Sequence, residues 1–567
     1  MTSRQYPLIG LAALVLAVAI SLTPLPHTLS TAWHTDRSLA QAAEPTPLFD
    51  NLGKYHFPIA TPSQQTQQYF DQGMTLAYGF NHAEAARAFQ AAIRHDDTCA
   101  LCHWGLAYVL GPNINAPMEL DAVPTAWEAI QQAQALSADA SPKEQALIQA
   151  MATRYAPDPE ADRGPLDQAY ATAMGAVHQH YPEDPDIATL YAEALMDTMP
   201  WDYWDEDGTP RPETETILTT LESVIAQHPQ HIGALHLYIH AVEKEHPELA
   251  ETAADTLGSL VPGAGHLVHM PSHIYIRIGR YHDAAIANQQ AIAADHTYLH
   301  SNALYNNSEP SLYTVAYMPH NQHFLWFSAL MNGQSRLAMQ AAIATANVNP
   351  DLMRNHDFAA GLQHYFTMPL FTRIRFQQWA EIQTTPAPAA DLKYPTGIWH
   401  YAQGMAATAT GDLTTAKAHL AAMETLTQDP ALADLRIWGF NATSQVLQIA
   451  ANVLGGEIAL AAGDDEGAIA QLQQAVGLES QLVYTEPPDW YSPTRNLLGK
   501  ALLETGQYPA AEAAFRADLA AYPNNGWSLY GLAQSLKAQG NAADMATVQT
   551  QFAAAWQDAD LPMEAYW

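Results

Sequence analysis

The stretch GRYHDAAIANQQAIAADH, residues 279–296, decides the fold, because its pattern returns in GQYPAAEAAFRADLAAYP (506–523) and FNHAEAARAFQAAIRHDD (80–97). Each copy opens with Gly or another turn residue, continues with an aromatic residue or His, and repeats Ala at intervals that suit close helix contacts. Pro or Asp ends each copy. A pattern that recurs in this way indicates an array of helical hairpins, each burying its apolar face against its neighbours.

The composition agrees with a helical chain and restricts its partners. Ala, Gln, Leu and His are abundant while Val and Ile are sparse, which favours helix over sheet and predicts an all-α fold. The chain has 23 Lys and Arg against 58 Asp and Glu, a formal net charge of −35. Because this charge repels phosphate groups, we expect no nucleic-acid partner and no binding to anionic membrane surfaces.

The repeated segments resemble the 34-residue tetratricopeptide repeat, in which Gly or Ala stands at position 8 of the first helix and Ala recurs at position 20. The eighth positions are Gly73, Gly105, Gly404, Gly456, Gly499 and Gly531, and the twentieth positions are Ala85, Ala284, Ala338, Ala416 and Ala511. The resemblance spans most of residues 62–555. It implies an α-solenoid, or superhelix, of helix-turn-helix repeats.

The chain divides into five predicted parts. These are a signal peptide or N-terminal anchor (1–43), a linker (44–61), N-terminal repeats with long loops (62–228), central His-rich repeats (229–380) and C-terminal repeats (381–567).

The first part has the features of an export signal. Arg4 precedes an apolar run, residues 8–20, and Ala40-Gln41-Ala42 fits a cleavage site. We therefore expect a periplasmic, lumenal or extracellular protein. An uncleaved anchor, which would be its contact with a membrane, remains the alternative because the gap to the cleavage site is long.

Histidines recur at fixed positions of the central first helices. In one such helix, repeat positions 5, 9 and 12 are His236, His240 and Glu243. In the next, positions 2, 5 and 9 are His266, His269 and His273. In the third, positions 2 and 5 are His320 and His323, and in a fourth, position 5 is His364. In the tetratricopeptide family, positions 2, 5, 9 and 12 line the inner groove that holds ligands. The spacing agrees, because residues three, four and seven apart share one helical face.

These histidines predict a transition-metal site. Packed helices lie about 8–10 Å apart, so imidazoles from neighbouring repeats can meet on one ion. Neutral imidazole suits Zn, Cu or Fe, and Glu243 could be a ligand, a partner that orients an imidazole, or a catalytic general base. Two alternatives stay open, namely a purely structural network of histidines and acid/base groups for a small organic ligand in the groove.

The string Cys99-Ala-Leu-Cys102-His103 matches the attachment pattern of c-type haem, in which two thiols bond the vinyl groups and the His is an axial ligand. The string lies inside a repeat helix, which favours a local disulfide or thiol pair instead. Both interpretations stay open at this point.

Near the C-terminus, TEPPDWYSPTR (485–495) supplies Glu486 and two aromatic residues around a rigid Pro pair. It is predicted either to close over one end of the groove or to connect repeats. This string and GHLVHMPSHIYIRIGRY (265–281) are similar to those of a group of exported bacterial repeat proteins, a resemblance that implies fold and export but no chemistry.

Three functions remain: a metal-binding groove, a scaffold that binds a protein or peptide, and a c-type haem protein. Whether the chain is an enzyme is left open, since no nucleophile elbow, phosphate loop or dinucleotide fingerprint occurs in it.

Overall fold

The computed structural model describes residues 46–205, 207–301, 311–355 and 358–567. Helices connected by short turns dominate these residues, and the strands found among them are β1 (Arg436–Ile437) and β2 (Asn441–Ala442), which pair antiparallel. The predicted all-α class is confirmed. The predicted export segment, residues 1–43, lies outside the described residues.

The described chain separates into two compact units. Unit 1 contains residues 55–241 together with the segment that ends at Phe49, and unit 2 contains residues 50–54 and 242–567. The predicted boundaries at 228 and 380 rest on repeat register alone and stay predictions.

Unit 1 is a succession of antiparallel helix pairs. Its helices are α1 (Gln64–Tyr78), α2 (His82–His95), α3 (Ala100–Leu110), α4 (Val123–Leu136), α5 (Pro142–Ala152), α6 (Arg163–His180), α7 (Pro185–Met196), α8 (Pro212–Gln227) and α9 (Ile232–Val242), and the division from unit 2 falls at the end of α9.

Unit 2 continues the same pattern. Its helices are α10 (Glu251–Leu257), α11 (Gly265–His269), α12 (Pro271–Ile278), α13 (Tyr281–Ser301), α14 (Met318–Met331), α15 (Ser335–Thr345), α16 (Leu352–Asn355), α17 (Ala359–Arg375), α18 (Trp379–Gln383), α19 (Lys393–Ala409), α20 (Leu413–Thr427), α21 (Pro430–Asp434), α22 (Thr443–Ala461), α23 (Asp465–Glu479), α24 (Thr494–Glu504), α25 (Tyr508–Ala521), α26 (Gly526–Ala538) and α27 (Ala542–Ala555).

Small residues let the helices of each pair approach closely. Gly73 and Gly105 both pack on the ring of Phe89, and a Cβ atom added to Gly105 would lie 2.4 Å from Phe89 Cε1. The Ala residues predicted at position 20, such as Ala85 and Ala284, are fully buried. The close packing of helices predicted at these Gly and Ala positions is therefore confirmed.

Side-chain caps begin many of these helices. Ser63, Asn81 and Asn525 each accept a hydrogen bond from a backbone N–H in the first turn of the helix that follows. Such caps satisfy donors that have no partner within the helix. Among the described residues, no helix combines the length and apolar character that crossing a membrane requires.

Candidate metal centre

Three histidines of unit 2 come from the first helices of two consecutive hairpins. The earlier of these first helices is divided into α11 and α12, and the later one is α14. His269 ends α11 and His273 lies in α12, with Met270 between the two helices in helical conformation (φ −49, ψ −38). The four-residue spacing therefore keeps both side chains on one face. His320 stands near the start of α14.

The structure brings these three side chains together. The Nε2 atoms of His269 and His273 lie 3.0 Å apart. The His320 ring centroid lies 4.9 Å from that of His269 and 5.6 Å from that of His273. One ring nitrogen from each of the three lies within 4.8 Å of the others, which is close enough for one ion.

The far nitrogen of His269 is held by an amide. Its Nδ1 lies 2.7 Å from Asn288 Oδ1, while Asn288 Nδ2 donates to the Ala284 carbonyl at 2.7 Å and so fixes the orientation of the amide. Because the amide oxygen can only accept, His269 carries its proton on Nδ1. Its Nε2 therefore presents a lone pair toward His273.

The far nitrogen of His273 is held by carboxylates. Its Nδ1 lies 2.6 Å from Glu486 Oε2 and 3.3 Å from Glu243 Oε2. When Glu486 is ionised, its carboxylate accepts a hydrogen bond from the Nδ1–H of His273, which leaves a second lone pair on His273 Nε2. Two lone pairs would then face each other at 3.0 Å, an arrangement that a proton or a metal cation between them relieves.

The two carboxylates are themselves buried. Burial raises the pKa of Glu486 to about 8, although the charge of Arg277, whose Nε lies 3.8 Å away, and a hydrogen bond from the Tyr484 hydroxyl act in the other direction. Burial and the charge of Glu486 raise the pKa of Glu243 well above its ordinary value. Buried carboxyls of this kind are common at functional sites.

An apolar wall surrounds the imidazoles and keeps them neutral. The Phe324 ring lies 4.6 Å from the His269 ring and 4.5 Å from the His273 ring, measured between centroids. Burial lowers the pKa of His269 to about 4 and that of His320 well below its ordinary value. Near neutral pH both are in the unprotonated form that binds metals.

The structure places the remaining predicted ligands elsewhere. In unit 1 the His236 and His240 rings lie 4.9 Å apart, and Phe80 packs on both. In unit 2 the His266 ring lies 5.8 Å from that of His269 and packs against Tyr317.

His323 and His364 form a separate buried pair in unit 2, with ring centroids 6.0 Å apart. The His364 Nδ1 is hydrogen-bonded to the Tyr394 hydroxyl at 2.7 Å, and burial lowers the pKa of His364 to about 3. Within the described part of the chain, no third His, Cys or carboxylate completes a metal-binding group with these two.

Cys99 and Cys102 form a disulfide. Cys99 stands before α3 and its sulfur accepts a hydrogen bond from the Cys102 backbone N–H. While this bond is intact, neither sulfur can bond a haem vinyl group. His103, the predicted axial ligand, is a part-buried helix residue whose pKa burial lowers. The structure thus contains the local disulfide that the sequence left as one of two interpretations.

Sequence reasoning missed two groups that orient the imidazoles. Asn288 lies on the second helix of the hairpin, 19 residues after His269, and offers no spacing signal. Glu486 was noted only as part of a Pro-rich string, yet it reaches His273 across 213 residues. The available hint was a carboxylate in a rigid loop predicted to close over the groove.

Comparison with known proteins gives fold-level likeness alone. No family model matches the chain, and no curated protein sequence matches it. Among solved structures, a human IFIT1 dimer with m7Gppp-AAAA is 11% identical with a TM-score of 0.28, covering 88% of this chain and 91% of that one.

Two other solved structures match to a similar extent. The P58(IPK) TPR domain is 12% identical with a TM-score of 0.22, covering 84% of this chain and 99% of that one. The Cut9-Hcn1 hetero-tetramer of the APC/C is 12% identical with a TM-score of 0.27, covering 88% and 89%. At these TM-scores none of the three bears on the function of this chain.

Proposed function

We propose that this chain is an exported metal-binding repeat protein whose unit 2 holds one transition-metal ion between His269, His273 and His320. The observation that carries the proposal is the pair of facing Nε2 atoms, 3.0 Å apart, on imidazoles whose Nδ1 atoms are both held by oxygen atoms. Metal-bound histidines typically have their other ring nitrogen held in this way.

The spacing of the ring nitrogens fits an ion. Two nitrogens bound at about 2.0–2.1 Å to one tetrahedral zinc ion lie about 3.3 Å apart. The observed separation of 3.0 Å between His269 Nε2 and His273 Nε2 is slightly shorter than this. A small rotation of one ring would bring the two nitrogens to the distance that an ion requires. His320, which is less buried than the other two, supplies the third nitrogen from α14.

Charge balance favours a cation over a purely structural network. Glu243 and Glu486 are buried side by side at His273, and Arg277 is the cationic side chain near them. A divalent ion next to His273 would offset the second carboxylate, so that both could remain ionised.

Each residue has a distinct role in this proposal. His269, His273 and His320 bind the ion, Asn288 orients His269, and Glu486 orients His273 with Glu243 beside it. Three protein ligands leave a coordination position open, and a metal ion in such a site supplies an activated water or polarises a bound carbonyl.

The disulfide supports the exported location. Disulfides persist in oxidising compartments and are rare in the cytosol, and Cys99 and Cys102 are paired. This agrees with the export signal that the sequence predicts for residues 1–43.

The proposal is tested by elemental analysis of the untagged full chain, made in an oxidising compartment and purified without metal resin. We expect about one equivalent of Zn, Cu or Fe per chain, lost in the double variant His269→Ala/His273→Ala because two of three ligands are gone. The analysis also identifies the metal.

The matched control is His400→Ala/His419→Ala. These half-buried histidines of unit 2 also form a close pair, with Nδ1 atoms 2.8 Å apart, but they belong to no group of three ligands among the described residues. The control is expected to keep its metal. A wild-type chain without metal, or equal metal content in both double variants, would refute the proposal.

The array of helical hairpins supports a second candidate, a scaffold that binds a protein or peptide, which is a common use of such repeats. A scaffold of this kind needs no metal ion, so its binding of a partner should survive both chelation and the His269→Ala substitution. Loss of binding under either condition argues against a metal-independent scaffold.

A further inference from the structure

A pocket of unit 2 lies next to the proposed metal centre and shares Glu486 with it. The cavity measures about 130 Å³ and is lined by residues of α12, α14 and α25, the end of α23 and the segment between α23 and α24. Its polar lining consists of Arg277, Glu479, Tyr484, Thr485, Glu486, Asp489 and Tyr522. Neither a metal centre nor a repeat scaffold requires this combination of charged and aromatic groups.

Arg277 is the positive group of the lining, and the fold holds it in place. Its Nε donates to the Glu243 carbonyl at 3.2 Å and its Nη2 to the Lys244 carbonyl at 2.9 Å, while the guanidinium lies over the Tyr484 ring. The side chain stays 29% exposed. Its Nε also lies 3.8 Å from Glu486 Oε1, and the exposed part of the guanidinium is suited to a second carboxylate.

Glu479 and Asp489 supply negative groups. One oxygen of Glu479 accepts from the Thr494 backbone N–H at 2.8 Å, and one oxygen of Asp489 accepts from Asn441 at 2.8 Å. Burial raises the pKa of each to about 7. A cationic group in the pocket would favour their ionised forms, because opposite charges attract strongly in a poorly solvated site.

The opposite charges stand near one another around Tyr522. Burial raises the pKa of the Tyr522 hydroxyl, the charge of Glu479 adds to this and that of Arg277 lowers it, so both groups lie within electrostatic range of one phenol. The remaining lining is apolar or aromatic and includes Ile276, Phe327 and Trp490. The pocket thus offers a guanidinium, carboxyl groups and an apolar surface.

We propose that this pocket binds a free α-amino acid with an apolar or aromatic side chain. Arg277 pairs with the carboxylate, Glu479 and Asp489 receive the ammonium group, and the side chain packs on the aromatic lining. A simple carboxylate would leave both buried carboxyls without a counter-ion, and a simple amine would face Arg277. The proposal goes beyond metal binding and does not rest on it.

Calorimetric titration of the full chain at pH 7 tests the proposal with three probes of equal ring size. L-Phenylalanine carries both charged groups, phenylacetate lacks the ammonium and phenethylamine lacks the carboxylate. We expect L-phenylalanine to bind at least tenfold more tightly than either of the others. Equal affinity of L-phenylalanine and one single-charge probe, or absence of binding by all three, overturns the proposal.

Variants locate the binding. Arg277→Gln should weaken L-phenylalanine binding about tenfold or more, to the level of phenethylamine, and Arg277→Lys should recover part of the loss because the charge is kept. Arg516→Gln, which removes a half-exposed arginine elsewhere in unit 2, is the control and should bind as the wild type does. Unchanged binding by a folded Arg277→Gln protein, judged by its circular dichroism spectrum, overturns the proposal.

Repeating the titration after chelation separates this proposal from the metal proposal. Amino-acid binding that persists in metal-free protein supports the pocket even if no metal is ever found. Binding that disappears with the metal overturns the assignment of the carboxylate to Arg277, since the ion would then be its partner.

Discussion

At the scale of single residues, one carboxylate connects two parts of the proposed site. Glu486 contacts His273 through Oε2 and accepts a hydrogen bond from Tyr484 through Oε1. The same side chain therefore orients a proposed metal ligand and lines the adjacent pocket.

Replacing Glu486 by Gln should lower metal affinity about 10- to 100-fold, because the orienting group loses its charge while its shape is kept. A competition titration against a chromophoric chelator measures this. Glu512→Gln, which changes a part-buried carboxylate paired with Arg516 away from the site, should have no effect. Equal affinities in the Glu486 and Glu512 variants would contradict the assigned role.

His364 should make the protein less stable in acid. Its folded pKa of about 3 lies below the value near 6.5 of an unfolded chain, so the unfolded state takes up the proton first as the pH falls. Stability due to this residue is complete above pH 6.5 and is lost toward pH 3. Between pH 7 and pH 5 the loss amounts to about 2 kcal/mol.

The variant His364→Gln cannot take up this proton. Urea unfolding at pH 7 and pH 5 should show a smaller acid-induced loss of stability in His364→Gln than in the wild type. An equal loss in both proteins would show that His364 titrates normally in the folded state.

The sequence predicted the ligands of the site better than their partners. His269 and His273 were found because a four-residue spacing on a helix is local information. Glu486 and Asn288 act through contacts between separate elements, which depend on tertiary packing that no spacing encodes. Glu243 was assigned to a shared face, and the structure shows it beside His273 and Glu486.

At the scale of helices, glycine positions report where two backbones come close. Gly531 in α26 faces Phe515, and a Cβ atom added there would lie 2.2 Å from Phe515 Cζ. Gly477 in α23 has no atom within 4 Å of such a Cβ. The two glycines lie in helices of the same unit but in opposite environments.

Substitution of each by Ala should therefore change stability in opposite directions. Gly531→Ala should destabilise the protein by about 1–3 kcal/mol through overpacking, and Gly477→Ala should stabilise it by up to about 1 kcal/mol through helix propensity. Thermal or urea unfolding of both variants measures this. A neutral Gly531→Ala would mean that the Phe515 ring can move aside.

The helix pairs themselves were predictable because Gly and Ala recur at fixed repeat positions. Irregular elements could not be predicted from this recurrence. Residues 313–317 form a π-helical turn, and α11 and α12 are short helices on either side of Met270. Their bounds depend on local packing, which a repeat register does not record.

At the scale of the whole molecule, the charge of −35 should make stability depend on salt. Acidic side chains repel one another, and added ions screen this repulsion over a Debye length of about 10 Å at 0.1 M. We expect the melting temperature to rise by a few degrees between 10 mM and 200 mM NaCl. A fall would indicate that attractive ion pairs outweigh the net repulsion.

The burial of His269 and His273, with exposures of 0% and 4%, has a consequence for metal supply. An ion held between these side chains beside Phe324 should exchange more slowly than one bound at the surface, because release requires local opening around two buried ligands. Metal content would then be set by the ions present where the chain folds. Later changes in the surrounding metal concentration would alter it slowly.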